Sequence, residues 1–441
     1  MAALRDKSGR RDFLRRVAGG SAMAAGASMA FSARARSSRP PNIVLILGDD
    51  LGYGDLGCYG SGIATPNIDQ VARDGVRFTH FTSASPVCSP SRASWLTGRY
   101  PTRTGVPRVL SPDDTYGLAD SEITMAQMLK GAGYATACVG KWHLGCLPQL
   151  LPTNRGFDEF FGIPYSIDQG TRPLMLNQQV IEEPANLDTL TDRYTQYATD
   201  FINRSKNNPF FLYLGHSFPH TPFAVSSRCA GRSLQGAYGD MVQDIDWSVG
   251  QIMSTLASNG IDGDTLVIMS SDHGPWMQGS PGGLRGRKGE SWEGGVRVPL
   301  VARYPGWIPS GSVCRNFATT LDMMPTLAAM TNAPWPANPL DGVDISPLLA
   351  GQQFDVPRDV FLYFNDIYLH AARFGNWKLH VGRWNSPPFT APPAGGRQNV
   401  QITPELYDVV ADPDESHDRS YRNQGVVADI QSRIASALST F

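Results

Sequence analysis

Four short apolar runs, separated by stretches with helical periodicity, constrain the fold of this chain most strongly. Each run is rich in branched or aromatic residues and is bounded by glycine, aspartate or proline, which is typical of buried strands. The runs are Asn42–Leu47, Tyr134–Val139, Pro209–Leu214 and Thr265–Met269. Amphipathic helical patterns lie between them, at Ser121–Ala132, Thr191–Asn203 and Ala237–Leu256. Strands that alternate with helices predict an α/β fold, with a large, mostly parallel sheet sandwiched by helices.

A cluster of polar residues follows each of these four strands directly. The clusters are Gly48-Asp49-Asp50, Gly140-Lys141-Trp142-His143, Gly215–His220 and Ser270–Gly274. One such cluster could be an ordinary strand end or turn. Because open α/β sheets bind ligands at the carboxyl ends of their strands, four clusters together predict one site built from distant parts of the chain.

The pattern of predicted secondary structure changes near residue 350. Short strands are predicted at Val360–Phe364, Ala371–Phe374 and Asn376–Val381, and a final helix at Gly425–Leu438. We therefore expect residues 37–350 to form the main domain and residues 351–441 a smaller α+β domain.

The first 36 residues differ from the rest of the chain. Gly9-Arg10-Arg11-Asp12-Phe13-Leu14 is a twin-arginine pattern, the run from Val17 to Phe31 is small and apolar, and Ala33-Arg34-Ala35 resembles a cleavage site. This predicts a twin-arginine export signal and a periplasmic or secreted protein; the alternative is a disordered basic N-terminus. The run is too short and too rich in glycine and serine for a stable transmembrane span, so we expect no lasting membrane insertion.

The charge balance excludes one broad class of partner. A formal net charge of -2 shows no basic excess of the kind that nucleic-acid-binding proteins carry. An anionic substrate would therefore be held by local positive charge. The 6 cysteines in 441 residues are too few for a disulfide scaffold.

Cys88 lies at a predicted helix start. Pro90 suits the first turn of a helix that runs to about Leu96, and Gly98 suits its end. The free N–H groups and the dipole of a helix N-terminus favour negative charge, so Cys88 is a candidate reactive cysteine in an anion site. A buried cysteine with a packing role is the alternative.

The segment Cys88-Ser89-Pro90-Ser91-Arg92 resembles the C-x-P-S-R signature of type I, formylglycine-dependent sulfatases in the alkaline phosphatase superfamily. Further patches resemble the family in the same order along the chain: Pro41–Asp50, Leu96–Pro101, Gly140–Gly145, Ser271–Gly274, Gly289–Pro299 and Glu405–Glu415. The resemblance implies hydrolysis of sulfate monoesters by residues 37–350, the catalytic domain. It also implies that formylglycine-generating machinery oxidises Cys88 to an aldehyde whose hydrate is the nucleophile.

The resemblance implies a metal site next to the modified Cys88. Its ligands would be Asp49, Asp50, Asp272, His273 and the modified Cys88 itself. Carboxylate oxygens suit a hard cation, and the family implies one Ca²⁺ per chain. Many members have asparagine where this chain has His273, and imidazole is a softer ligand than an amide oxygen. Calcium is the favoured ion, although His273 would also suit a softer metal.

The remaining roles also follow from the resemblance. Lys141 and Lys288 match lysines that bind sulfate oxygens, and Arg92 matches an arginine that steadies the formylglycine. His220 would protonate the departing alcohol oxygen, and His143 would take a proton as sulfate leaves. Asp272 would also assist deprotonation of the attacking hydroxyl, whereas His216 is expected to be a core histidine.

Three alternatives remain at the level of sequence. A formylglycine-dependent phosphonate monoester or phosphodiester hydrolase shares the nucleophile, and His273 keeps this open. A catalytically dead member that binds sulfated glycans would be expected to lack one of the site residues, and none is missing. A generic α/β binding module would need every motif to be coincidental. The predicted substrate is a sulfated small molecule or carbohydrate, selected by loops such as Leu147–Asn154, Trp276–Leu284 and Trp384–Arg397.

Overall fold

A large mixed sheet dominates the computed structural model, which describes residues 39–441. Its eleven strands are β1 (Asn42–Gly48), β2 (Val76–Thr82), β3 (Ala135–Gly140), β4 (Glu159–Gly162), β5 (Leu174–Leu176), β6 (Gln179–Glu182), β7 (Phe210–Gly215), β8 (Thr265–Ser271), β9 (Arg297–Arg303), β10 (Ser312–Cys314) and β11 (Ala318–Thr319). The order is β10-β2-β9-β8-β1-β7-β3-β4-β5-β6, with β11 beside β2. The four strands predicted from sequence form its centre, and each pairs in parallel with its neighbour among them. The predicted α/β class is confirmed.

Strand β1 shows why these runs are apolar throughout. Ile43, Leu45 and Leu47 pack into the core on one face of the sheet, and Val44 and Ile46 pack into the core on the other. All five side chains are fully buried. A strand with helices on both faces has no solvent side, so a continuous hydrophobic run replaces alternation.

Nine α-helices occur in the described part of the chain. They are α1 (Pro66–Arg73), α2 (Cys88–Thr97), α3 (Met125–Gly131), α4 (Leu190–Ser205), α5 (Gly236–Ser258), α6 (Glu293–Val296), α7 (Met323–Thr331), α8 (Ser346–Leu349) and α9 (Gln424–Leu438). Helix α3 begins later than the predicted Ser121, because Thr124 and Gln127 form a capping box that fixes its first turn. The predicted helices α4 and α5 are confirmed, to within two residues at each end.

A separate antiparallel sheet lies in the C-terminal part of the chain. It contains β12 (Phe361–Asn365), β13 (Tyr368–Phe374), β14 (Trp377–Trp384) and β15 (Asn399–Asp408), in that order. Helix α9 packs against it through Ile430 and Ile434. The predicted small α+β region is confirmed, although β15 was not predicted.

Strands β2 and β9 were also not predicted. Both carry charged or polar residues within an otherwise apolar segment, such as Arg77 and His80 in β2. The two strands are antiparallel to each other, and β9 is antiparallel to β8. The residues of the predicted twin-arginine export signal lie outside the described part of the chain. Within residues 39–441, no helix is both long enough and apolar enough to cross a membrane.

Candidate active site

The carboxyl ends of the four central strands lie side by side. Leu47 pairs with Gly215, Gly215 pairs with Gly140, and Gly48 pairs with Ser271. The four polar clusters therefore begin side by side at the same edge of the sheet. Backbone hydrogen bonds extend this alignment beyond the strands. The N–H of Lys141 donates to the Gly215 carbonyl at 2.7 Å, and that of Asp272 donates to Gly48 at 3.2 Å.

Cys88 is the first residue of α2, as the sequence predicts. Every side chain of this helix is buried, and Cys88 itself is 2% exposed. Gly98 ends the helix with φ +66°, a left-handed conformation that a residue without a Cβ adopts at little cost. The hydroxyl of Ser91, one turn into the helix, donates to the backbone carbonyl of Asp272 and ties the helix start to the end of β8.

Three carboxylates and one imidazole surround the Cys88 sulfur. His273 Nε2 lies 3.2 Å from Cys88 Sγ, 3.5 Å from Asp50 Oδ1 and 3.7 Å from Asp272 Oδ2. Asp50 adopts a left-handed conformation with φ +66°, and its N–H donates to Asp272 Oδ1 at 3.2 Å. These four residues and Asp49 are all at most 2% exposed.

Two lysines border this cluster. Lys141 Nζ lies 2.6 Å from Asp49 Oδ2 and 3.1 Å from the hydroxyl of Ser166. Lys288 Nζ lies 2.7 Å from Asp50 Oδ1 and 3.0 Å from Oδ2. Lys141 is fully buried, whereas the Lys288 side chain is 14% exposed and marks the open side of the site.

Arg92, on helix α2, forms hydrogen bonds and ion pairs with several residues of the cluster. Its guanidinium is fully buried and donates to Asp272 Oδ2 at 3.0 Å, to the Tyr213 hydroxyl at 3.2 Å and to the Lys141 carbonyl at 3.2 Å. A further nitrogen-to-oxygen distance of 3.5 Å joins it to Asp49. One arginine thus connects three of the four strand ends to the helix that begins at Cys88.

The local charges favour an anion at position 88. Burial would raise the pKa of the Cys88 thiol, but the ammonium groups of Lys141 and Lys288 lower that pKa to about 6. Burial opposes the charge of His273 as well, yet Asp272 and Cys88 raise its pKa to about 9. Burial would raise the pKa of Asp49, but the charges of Lys141, His220, Arg92 and Lys288 together hold it well below its usual value. The site around Cys88 therefore contains several oppositely charged groups in close contact.

His143 has one free ring nitrogen next to this cluster. Its Nε2 donates to the Leu110 carbonyl at 2.9 Å, and its buried Nδ1 has no hydrogen-bond partner. The Leu110 N–H in turn donates to the hydroxyl of Ser89, the residue after Cys88. Burial, together with the charge of Lys141, lowers the pKa of His143 well below its usual value. The imidazole is thus neutral, with an unused lone pair.

His220 and His216 occupy different environments. His220 Nε2 lies 3.7 Å from Asp50 Oδ2, and its side chain is 7% exposed. His216 is fully buried, neither of its ring nitrogens has a hydrogen-bond partner, and burial lowers its pKa to about 3. The expectation that His216 is a core histidine agrees with this environment.

The donor set fits a metal ion. Ligand atoms of Asp49, Cys88, Asp272 and His273 lie within 4.8 Å of one another, as do those of Asp50, Cys88 and His220. Asp49 Oδ1 is buried and accepts no hydrogen bond, although it lies 3.5 Å from the Arg92 guanidinium. His273 Nδ1 lies 2.9 Å from the Gly274 carbonyl and donates to it, so Nε2, which faces Cys88, is the nitrogen that could act as a ligand.

Two partners of the site were not predicted. Ser166 holds Lys141, and Tyr213 holds Arg92. Ser166 follows β4, whose sequence Glu159–Gly162 is too short to stand out as a strand. Tyr213 lies within β7, where an aromatic residue is indistinguishable from core until its hydroxyl partner is known.

Comparison with known proteins identifies the family. The sulfatase family model matches residues 41–333, and the model for the C-terminal region of aryl-sulfatase matches residues 356–441. The chain is similar to arylsulfatase A of Homo sapiens, with 40% identity over 432 residues that cover 88% of this chain and 85% of that protein.

Solved structures agree with the sequence comparison. A structure from work on the metabolism of multiple glycosaminoglycans by Bacteroides thetaiotaomicron has a TM-score of 0.82 and 28% identity, and covers 91% of this chain and 99% of that one. Ps i-CgsB in complex with k-i-k-neocarrahexaose has a TM-score of 0.78 and 30% identity, with 90% and 92% covered. The chain belongs to the sulfatase family and is an enzyme that hydrolyses sulfate esters.

Proposed function

We propose that the enzyme cleaves sulfate monoesters with a formylglycine residue made from Cys88. The position of Cys88 at the head of α2, next to three carboxylates and His273, carries this proposal. The modified residue would supply a hydrated aldehyde, whose one hydroxyl attacks sulfur and whose second hydroxyl provides a route to expel sulfate. A plain cysteine or serine lacks that second hydroxyl.

We infer that Asp49, Asp50, Asp272, His273 and residue 88 hold one Ca²⁺. Three carboxylates match the oxygen ligands that calcium prefers. Asp49 Oδ1, which accepts no hydrogen bond, and His273 Nε2, which faces residue 88 while Nδ1 is held by Gly274, support the fit. The ion would neutralise charge on the sulfate group and favour an ionised nucleophile.

The two lysines are proposed to bind the sulfate group. Their ammonium groups form ion pairs with the carboxylates of Asp49 and Asp50. The partial exposure of Lys288 gives a sulfate ester access to the site. Cations preorganised in a site that excludes water stabilise the charge that develops on the transferring group. Arg92 acts differently, because full burial and contacts to Asp272 and Tyr213 fit it for holding residue 88 in place.

The proton transfers are assigned to two histidines and one aspartate. His143 is neutral and has a free Nδ1, so it can accept a proton as sulfate leaves. His220 stands at the edge of the site next to Asp50, where it can donate a proton to the departing alcohol oxygen. The pKa of Asp272 is raised to about 6, since burial outweighs the charges of His273 and Arg92. A carboxylate with that pKa can accept a proton from the nucleophilic hydroxyl.

We propose a sulfated carbohydrate as the substrate. A cavity of about 540 Å³ is lined by Arg287 and Gly289, the sequence neighbours of Lys288, and by the aromatic residues Trp292, Trp384 and Phe389. That volume is within the range of small-molecule sites. Two of the loops predicted to select the substrate contribute to the wall, whereas Leu147–Asn154 does not. The neocarrahexaose bound to a solved relative supports the same class.

The alternative is hydrolysis of a phosphonate monoester or phosphodiester at the same nucleophile. His273 favours it, because an imidazole stands at the fourth metal position where many sulfatases have asparagine. The test compares kcat/KM for an aryl sulfate and an aryl phosphonate ester with the calcium-loaded enzyme. We expect the sulfate ester to be preferred, and a strong preference for the phosphonate would overturn the choice.

We further propose export of the folded enzyme by the twin-arginine route, on the pattern Gly9–Leu14. Replacing Arg10 and Arg11 by lysine is expected to retain the enzyme in the cell, as fractionation would show.

Residues 37–350 are proposed as the catalytic domain and residues 351–441 as the C-terminal one. The interval between the two matched family regions, at residues 334–355, supports that boundary.

A further inference from the structure

A second cavity, of about 410 Å³, lies outside the active site and is rich in arginine. Its wall includes His80 of β2 and Arg373 of β13, together with Arg315, Asn316, Asp355 and Arg358. Arg373 forms part of the wall although it is only 3% exposed. A cationic side chain this deeply buried needs compensation for its charge.

The buried ion pairs behind the cavity supply only part of that compensation, because the Glu293 charge acts on Arg373 without a direct ion pair. Glu293 pairs with Arg297 at 2.6 Å and with Lys378 at 3.0 Å. Glu415 pairs with the same Lys378 at 3.3 Å. Two carboxylates therefore serve two cations here, and Arg373 forms no ion pair with a carboxylate anywhere in residues 39–441.

The contacts of Arg373 are with neutral groups. Its guanidinium donates to the Gly375 carbonyl at 2.9 Å and to His80 Nε2 at 2.5 Å, and it lies 4.0 Å from the Phe317 ring centroid. The same His80 nitrogen also accepts from Arg297 at 2.7 Å. His80 is neutral, because burial and the two arginines lower its pKa to about 3. The two guanidinium groups thus face each other across an uncharged acceptor.

The mouth of the cavity adds further positive charge. Arg315 is exposed on the cavity wall, and Arg358, which also lines the cavity, pairs with Asp322. The amides of Asn316 and Asn376 supply neutral donors, and Asp355 is an acid on the wall. A cavity with one excess buried cation, a second cation at its rim and several N–H donors is complementary to an oxyanion.

We propose that this cavity is a second anion site, which binds a sulfate group between Arg373 and Arg315. Sulfate matches the planar N–H pairs of guanidinium groups and supplies the charge that Arg373 lacks. The group could arrive as inorganic sulfate or as a sulfate ester on a glycan, and the chemistry of recognition is the same. The site does not depend on the proposed catalytic roles, because it shares no residue with them.

Equilibrium dialysis of the calcium-loaded enzyme with ³⁵S-labelled inorganic sulfate tests the proposal. We expect two sulfate ions per chain in the unmodified enzyme. Arg315→Ala should weaken one of the two sites by about tenfold, which is the loss of one charge-assisted hydrogen bond. Arg315 is exposed, so the variant should fold normally. Arg422→Ala removes the same charge from another exposed position and should leave both sites intact.

A third variant separates this site from catalysis. Lys288→Ala should weaken sulfate binding in the active site and leave the arginine-rich cavity unaffected. In that protein, displacement of the label by a chondroitin sulfate tetrasaccharide identifies a sulfate ester as the occupant, and retention of the label identifies free sulfate. Binding that is equal in the unmodified, Arg315→Ala and Arg422→Ala proteins would overturn the proposal, whatever the Lys288 variant shows.

Discussion

His273 Nε2 lies 3.2 Å from the sulfur of Cys88, and this imidazole joins the carboxylates of Asp49 and Asp272 in a group that could hold a metal ion. Its Nδ1 is fixed by the Gly274 carbonyl, so the orientation of the ring is set by the backbone. A fixed imidazole with a free Nε2 is a normal way to present a metal ligand.

His273→Ala is therefore expected to weaken calcium binding. Loss of even an outer partner of a metal ligand costs about 10–100-fold in affinity, so removal of a ligand should cost at least tenfold. His273→Asn should restore most of the affinity for calcium and reduce that for zinc, since an amide oxygen is a harder donor. Calcium and zinc titrations followed by thermal unfolding provide the measurement. His417→Ala, at an exposed histidine, is the control, and equal metal affinity in all these proteins would remove His273 from the metal site.

Lys288→Ala is expected to lower kcat for a sulfate ester by about 10²–10³, the usual loss when one preorganised charge partner is removed. The ammonium group of Lys288 is 2.7 Å from Asp50 and stands at the open side of the cluster. Lys130→Ala is the matched control, because its side chain is 51% exposed and pairs with Asp158 on the surface. A kcat that is unchanged in Lys288→Ala would exclude a role in sulfate transfer.

A buried contact joins the C-terminal sheet region to the loop that carries Lys288. Glu415 Oε2 accepts from the Glu293 N–H at 2.6 Å, and Oε1 accepts from His380 at 2.7 Å. Because Glu415→Gln leaves Lys378 partly uncompensated, we expect a loss of about 3–5 kcal/mol in the free energy of unfolding.

Glu405→Gln is the control for that experiment. Its ion pair with Arg383 is partly exposed, so its removal should cost at most about 1 kcal/mol. Urea-induced unfolding of both variants and of the unmodified protein measures the difference. Equal losses in the two variants would show that the buried contact adds nothing to a surface pair.

His216 provides a pH-dependent prediction. Its pKa is lowered by burial to about 3 in the folded protein, against about 6.5 for a histidine in an unfolded chain. The unfolded state therefore binds a proton at a higher pH, and the contribution of this group to stability is lost as pH falls from about 6.5 towards the folded value. His216→Gln should reduce the slope of unfolding free energy against pH in that window by up to about 1.4 kcal/mol per unit. Chemical unfolding between pH 7 and pH 4 tests this, and an unaltered slope would contradict it.

The sequence predicted the parts of this fold that depend on local patterns. Strand β1 is apolar along its whole length because both of its faces are buried, and this made it recognisable. The helix at Cys88 was predicted because proline and glycine mark its ends. Strands β2 and β9 were not predicted, since charged residues such as Arg297, which forms a buried ion pair, interrupt their apolar pattern.

Contacts between segments that are far apart along the chain could not be predicted from the sequence. The segments Gly289–Pro299 and Glu405–Glu415 both resemble the family, but nothing in either shows that Glu415 accepts from the Glu293 N–H. The partnership of Ser166 with Lys141 likewise depends on how β4 is placed beside β3. Local residue patterns indicate which groups matter, whereas their partners depend on the register of the sheet.

Mass analysis of the tryptic peptide that contains Cys88 tests the central claim most directly. The enzyme is produced in a host with formylglycine-generating machinery, and sulfate release by the same preparation is measured beside Cys88→Ala. We predict that the peptide shows the aldehyde in place of the thiol and that Cys88→Ala releases no sulfate above background. An active preparation whose peptide carries only the intact cysteine, or substantial activity in Cys88→Ala, would contradict the account.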